Sequence, residues 1–128
     1  MLSAYPAIFH KEDGSYWVEF PDLPGCQTVG ESIGEVMEEA QEALGLYLAS
    51  LIEDEEEINP ASDIKSIIAE DDSFTSLVAC DLTQYVRSAK AVKKTLTIPD
   101  WLNNMAEKNS INFSQTLQKA LMEKLHIA

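Results

Sequence analysis

Residues 16–32 read YWVEFPDLPGCQTVGES, and the way this stretch divides decides the fold. Alternation sets Tyr16, Val18 and Phe20 on one side of a strand and Trp17 and Glu19 on the other. The first set is the core-facing one. Two prolines and a glycine in PDLPGC (21–26) prohibit a helix, and CQTV (26–29) predicts a further short strand. Ser32 and Glu35 then form an S-x-x-E capping box, in which each residue satisfies an orphan amide of the other at a helix start.

Upstream, YPAIFHK (5–11) reads as a strand joined to the first stretch through Asp13-Gly14. That dipeptide is a strong hairpin signal, because a type I′ turn needs positive φ at both central positions. Downstream, Ile33, Val36, Met37, Ala40, Leu44, Tyr47, Leu48 and Leu51 recur at helical spacing, with Glu35, Glu38, Glu39 and Glu42 opposite. Gly45 inside this helix costs about 1 kcal/mol relative to alanine, which predicts a close packing contact there. The acidic run 53–57 and Asn59-Pro60 end the helix. Residues 61–73 read as a loop with one helical turn, and FTSLVAC (74–80) as a strand buried on both faces. The expected order is β-β-β-α-β, a sheet with one helix on one face and the Trp17/Glu19 face uncovered.

Charge divides the chain of 128 residues in two. Residues 1–85 hold 19 Asp/Glu against Lys11 and Lys65, a net of −17. Residues 86–128 hold Arg87, Lys90, Lys93, Lys94, Lys108, Lys119 and Lys124 against Asp100, Glu107 and Glu123, a net of +4. Such a split predicts two modules with different partners. The boundaries expected are an acidic domain at 1–85, a linker at 86–92 and a basic domain at 93–128. No apolar run reaches the roughly 18 residues of a membrane span, so no membrane partner is expected and the cytoplasm is the expected compartment. Cys26 and Cys80 belong to no CxxC pair, and His10 and His126 lie at opposite ends. The cysteines read as two small buried hydrophobes, and the separation of the histidines argues against a His/Cys metal site; no metal and no cofactor are expected.

The basic end opens on KKTLTIPDWL (93–102), where Leu96 and Ile98 point one way and Lys93, Thr95 and Thr97 the other. Pro99 suits a helix start, and Asn112 with Gln115 marks a second one. A lone strand and two short helices cannot bury Leu96, Ile98, Leu102, Met105, Leu117 and Leu121 by themselves. A dimer can: two strands pair across a dyad and these residues become its core. The free face of such a ribbon fits the major groove of DNA. An ordinary αα-hairpin with a spare strand is the alternative.

This tail resembles a ribbon-helix-helix DNA-binding domain over 93 to about 125, in its alternation, its proline helix start and NFSQ (112–115). The resemblance implies base reading by Lys93, Thr95 and Thr97. Phosphate anchoring would fall to Lys94, Asn112, Phe113 and Ser114, in a homodimer or tetramer on double-stranded operator DNA. Residues 16–48, YWVEFPDLPGCQTVGESIGEVMEEAQEALGLYL, resemble the N-terminal domain of HicB-type antitoxins, and FPDLPGC is their distinctive run. The implied fold class is α+β: a partial ribonuclease-H-like HicB domain followed by a dimeric ribbon-helix-helix domain. The implied function is an antitoxin that binds a small basic HicA-type ribonuclease toxin and represses its own operon.

An acidic body would attract a basic toxin independently of any resemblance. The uncovered sheet face is where the contact is expected, with Trp17 as anchor and Glu19 and Asp22 as charged partners; Trp17 packed inside its own domain is the alternative. Catalysis is not expected: the first strand carries no carboxylate between Met1 and Lys11, where a two-metal nuclease would need one. A ligand-sensing ribbon-helix-helix repressor without a toxin partner is the rival function. An adaptor with no DNA role is a third.

Overall fold

The computed structural model of the protein describes residues 2–86 and 91–127. The expected linker at 86–92 therefore falls largely outside the described residues.

The turn at Asp13-Gly14 fixes the register of the first two strands. Both residues have positive φ, 50° and 81°, as a type I′ hairpin requires. It joins β1 (Leu2–Glu12) to β2 (Ser15–Glu19), paired antiparallel from Glu12↔Ser15 to Ile8↔Glu19. β1 begins three residues earlier than the alternation predicts. β3 (Gln27–Gly30) adds to β2, and β4 (Ser73–Asp81) pairs antiparallel with β1 from Leu2↔Asp81 to His10↔Ser73. The sheet order is β3-β2-β1-β4.

Helix α1 (Ile33–Glu53) starts where the capping signature predicts: the Ser32 hydroxyl accepts the Glu35 amide at 3.1 Å. Val36, Ala40, Leu44 and Leu48 are fully buried against Tyr5, Phe9, Val18 and Val78 of the sheet. Ile33 departs from the expected stripe and is 52% exposed, because it lies in the first turn, ahead of the contact that begins at Val36. Phe9 stacks on Phe74 with ring centroids 5.1 Å apart. Cys26 and Cys80 are buried and free. Burial first, with the neighbouring Cys80 thiol second, pushes Cys26 up to about 11. Burial and then Asp81 do the same for Cys80, so both thiols stay protonated at neutral pH.

One sequence expectation fails here. Residues 74–80 are not buried on both faces: β4 is an edge strand, and Leu77 is 54% exposed. Only Val78 and Cys80 are fully buried. A single helix covers one face of the sheet, and the apolar run alone does not reveal which face has cover. Residues 61–72 form a loop with one turn of 3-10 helix at Ile64–Ser66, one residue shorter than expected because Ser73 already belongs to β4.

Gly45 is explained by contact. A Cβ built there would lie 2.4 Å from the ring of Tyr85, which follows the short turn Leu82–Gln84 after β4. Gly45→Ala should therefore destabilise the protein by about 1–3 kcal/mol through overpacking, despite alanine's better helix propensity. Urea unfolding measures this. In a Tyr85→Ala background the same substitution should become neutral or stabilising, which identifies the ring as the cause.

In the basic part, α2 (Asp100–Lys108) and α3 (Phe113–Lys124) form at the two predicted starts. Pro99 stands at the N-cap of α2, and the Asn112 side chain accepts the Gln115 amide at 3.1 Å. Neither helix has a fully buried residue. Residues 93–98 form no strand within the single chain, and residues 91–100 are all exposed.

Candidate functional site

The sheet face away from α1 gathers an aromatic and acidic cluster. The two-residue turn forces His10 opposite Trp17 on the outer face, and the β1–β4 register puts Ser73 opposite His10 on the other side. The His10 and Trp17 rings stack at 3.9 Å between centroids with 13° between planes. His10 Nδ1 shares a 2.8 Å hydrogen bond with the Ser73 hydroxyl. His10 Nε2 lies 3.2 Å from a Glu19 carboxylate oxygen but is not aligned as a hydrogen bond. That nitrogen is left with a bond to make.

Trp17 forms a ridge between two open hollows. One is rimmed by Glu12, Asp13, Gln27 and Val29, the other by Glu12, Glu70, Asp71 and Asp72 with Lys11 as the one cation among them. Val29, directly opposite Trp17 on β3, is 67% exposed. A flat indole flanked by carboxylates suits lysine and arginine side chains, which stack on the ring face and bond the acids. The order Ser73–His10–Glu19 has the connectivity of a nucleophile, a base and an acid. Yet the Ser73 amide donates to the Glu70 carbonyl, and the carboxylate rim would oppose a developing oxyanion. The surroundings suit recognition of a cation. Among the described residues no group of three or more His, Cys, Asp or Glu is placed to hold a metal ion.

Trp17 and Glu19 share this face as the alternation predicts, and Trp17 lies half-buried on it. Asp22 does not join them. Its carboxylate accepts the Ser62 amide at 2.8 Å and the Ser62 hydroxyl, and its carbonyl accepts from the Asn59 side chain at 3.0 Å. Asp22 thus holds the loop after α1. Sequence reasoning missed His10, Ser73 and Glu70–Asp72. The hairpin signal at Asp13-Gly14 contains the His10↔Trp17 pairing, since a two-residue turn fixes the register on both sides of it. No comparable local signal pairs β1 with β4.

In the tail, Lys93, Thr95 and Thr97 are exposed. Lys94 lines one groove with Leu96, Ile98, Phe113, Ser114 and Leu117. Asn112 caps α3 through its side-chain oxygen, so its role is already fixed in the single chain. Leu96, Ile98, Leu102, Met105 and Leu121 are between 42% and 59% exposed, an apolar face without cover.

No described helix is long and apolar enough to cross a membrane. A profile of the HicB-like antitoxins of bacterial toxin–antitoxin systems matches residues 5–121. An uncharacterised 14.9 kDa protein of Haemophilus phage HP1 is 33% identical over 98 residues, covering 74% of this chain and 72% of its own. A chain from a toxin–antitoxin complex of Streptococcus pneumoniae is 36% identical, with a TM-score of 0.62 over 97% of this chain and 99% of that one. The antitoxin HicB of Burkholderia pseudomallei is 27% identical, with a TM-score of 0.67 over 95% and 98%. With its four-stranded antiparallel sheet and three helices shared with such structures, and the family match spanning both its acidic and its basic part, the chain belongs to the HicB-like antitoxins of bacterial toxin–antitoxin systems.

Proposed function

We propose that this chain neutralises a small basic HicA-type ribonuclease toxin in the cytoplasm by covering it with the sheet face that carries His10, Trp17 and Glu19. The observation that carries this reading is the Trp17 ridge, uncovered and rimmed by carboxylates, on a body whose net charge is −17. A protein that holds RNA is basic, so opposite charge raises the encounter rate and the indole supplies the anchor. The match to a chain from the S. pneumoniae toxin–antitoxin complex supports the same role. The body, residues 1–85, is then a partial ribonuclease-H-like scaffold used for binding, not catalysis.

The tail, residues 93–128, serves as a ribbon-helix-helix unit joined to the body through 86–92. Two copies pair their strands at 93–98, bury the uncovered apolar face and present Lys93, Thr95 and Thr97 to the bases of operator DNA. Lys94 and the α3 start at Asn112–Ser114 meet phosphate, which a helix N-terminus favours. The operon so repressed is the protein's own.

Affinity capture from the native host, followed by RNA cleavage by the captured partner with and without this chain, tests the first half. A near-stoichiometric basic ribonuclease that the chain silences is the expected result. Recovery of DNA with no protein partner would support the ligand-sensing repressor instead. For the second half, operator affinity should fall with salt at about 0.9 log units per log unit for each phosphate neutralised. A flat dependence would exclude a phosphate-gripping tail.

A further inference from the structure

The chain does not leave α3 freely. His126 adopts a left-handed φ of 60°, and the Ile127 amide turns back to donate to the Met122 carbonyl at 2.9 Å. Such a helix stop is ordinarily a glycine, because a side chain at positive φ is strained. Here the reversal throws Ile127 onto the acidic body, where it packs against the hydrophobic core.

The surface it meets is shaped for it. Tyr5, 2% exposed, donates its hydroxyl to the Asn59 carbonyl at 2.6 Å and lies 3.5 Å from the His126 carbonyl. Burial, reinforced by Asp22 and Cys80, pushes the phenol up to about 12, so it remains a donor. Pro60 and Ala61 complete a hollow that includes His126 and Ile127. The Ser3 hydroxyl, fully buried and without a hydrogen-bond partner, lines the same hollow. Next to it, Lys124 shares a second hollow with Glu55, Glu56 and Glu57. Charge therefore complements the apolar contact. The Asp22–Ser62 and Asp22–Asn59 bonds keep the loop that builds the seat in place.

We infer that His126–Ile127 form a latch, and that the body surface around Tyr5, beside Pro60 and Ala61, is a binding surface whose ligand is this segment of the same chain. The latch ties the basic tail to the acidic body at a second point besides the linker. It fixes the direction in which the Trp17 face looks relative to residues 93–97. The latch stands whether or not the body's partner is a toxin and the tail's is DNA.

Spin labels at Glu42→Cys on the exposed side of α1 and Lys119→Cys on α3 test this in the full chain, since both native thiols are buried. In labelled chain diluted with an excess of unlabelled chain, a single narrow distance distribution is expected for the otherwise unaltered protein. Ile127→Asp, which places a carboxylate beside Glu55–Glu57, should broaden and lengthen it, while the circular dichroism of the body stays unchanged. Tyr5→Phe, which removes the hydroxyl but keeps the ring, should give an intermediate broadening. Identical distributions in all three proteins would overturn the latch. So would a narrow distance that vanishes when labelled chain is diluted with unlabelled chain, because the segment would then be seated on a second copy.

Discussion

On the proposed pairing of the tail, Leu96→Asp should leave the chain a monomer and abolish operator binding with it. The physical case rests on what the tail lacks. Neither α2 nor α3 has a fully buried residue, and Leu96, Ile98, Leu102, Met105 and Leu121 lie on the surface of the single chain. A contiguous apolar face of that kind is unusual on a soluble monomer and marks an interface. Residues 93–98 add a row of backbone groups with no ladder partner within the chain. Pairing two such segments about a dyad satisfies both deficits. In that arrangement an aspartate at 96 meets its symmetry mate across an apolar seam. Burying an unpaired carboxylate costs several kcal/mol, and the dimer suffers it twice. Sedimentation equilibrium at micromolar concentration reads the change directly. Thr95→Ala is the matching control, because it faces away from the seam. It should leave the dimer intact and cost about 1–3 kcal/mol at a single operator position. A wild-type chain that sediments as a monomer at every concentration would refute the ribbon.

Much of the body was legible because its signals are local. The Asp13-Gly14 turn, the Ser32/Glu35 cap and the Val36–Leu48 stripe each follow from a few neighbouring residues, and each stands where it is read. Gly45 was legible as a contact but not as a contact with Tyr85, since the partner lies 40 positions further on. The errors have the opposite character. Whether β4 is covered on one face or two depends on its place at the sheet edge, and that is set by the whole topology. The surroundings of His10 were not legible, because its neighbours Glu19 and Ser73 come from two different strands. The bonds of Asp22 to Asn59 and Ser62 were likewise out of reach, since both partners lie well beyond its own stretch of sequence. The segment after α3 gave no sign that it would reach Tyr5, more than a hundred residues away.

Trp17→Ala should weaken toxin binding by 2 kcal/mol or more, about thirtyfold, while changing folding stability far less. The two effects separate because the indole lies on the sheet face opposite α1. The core proper is formed by Phe9, Val18, Leu44 and their neighbours on the other side. What the substitution removes is the flat surface stacked on His10 and the wall between two acid-rimmed hollows. Trp17→Phe keeps a ring and should retain part of the affinity. Glu19→Lys should act differently, since it reverses a charge beside His10 and reduces the attraction that speeds encounter. Its cost should appear partly in the association rate and shrink as salt rises. Asp22→Ala completes the set. Its carboxylate bonds to Ser62 hold a loop, so its loss should lower stability by about 1 kcal/mol and leave the toxin's dissociation rate near that of the unaltered protein. Surface plasmon resonance with the captured toxin, paired with urea unfolding of each variant, distinguishes these patterns. If Trp17→Ala bound the toxin as tightly as the unaltered protein while Asp22→Ala released it, the contact would lie on the loop side of the body and the sheet face would be acquitted.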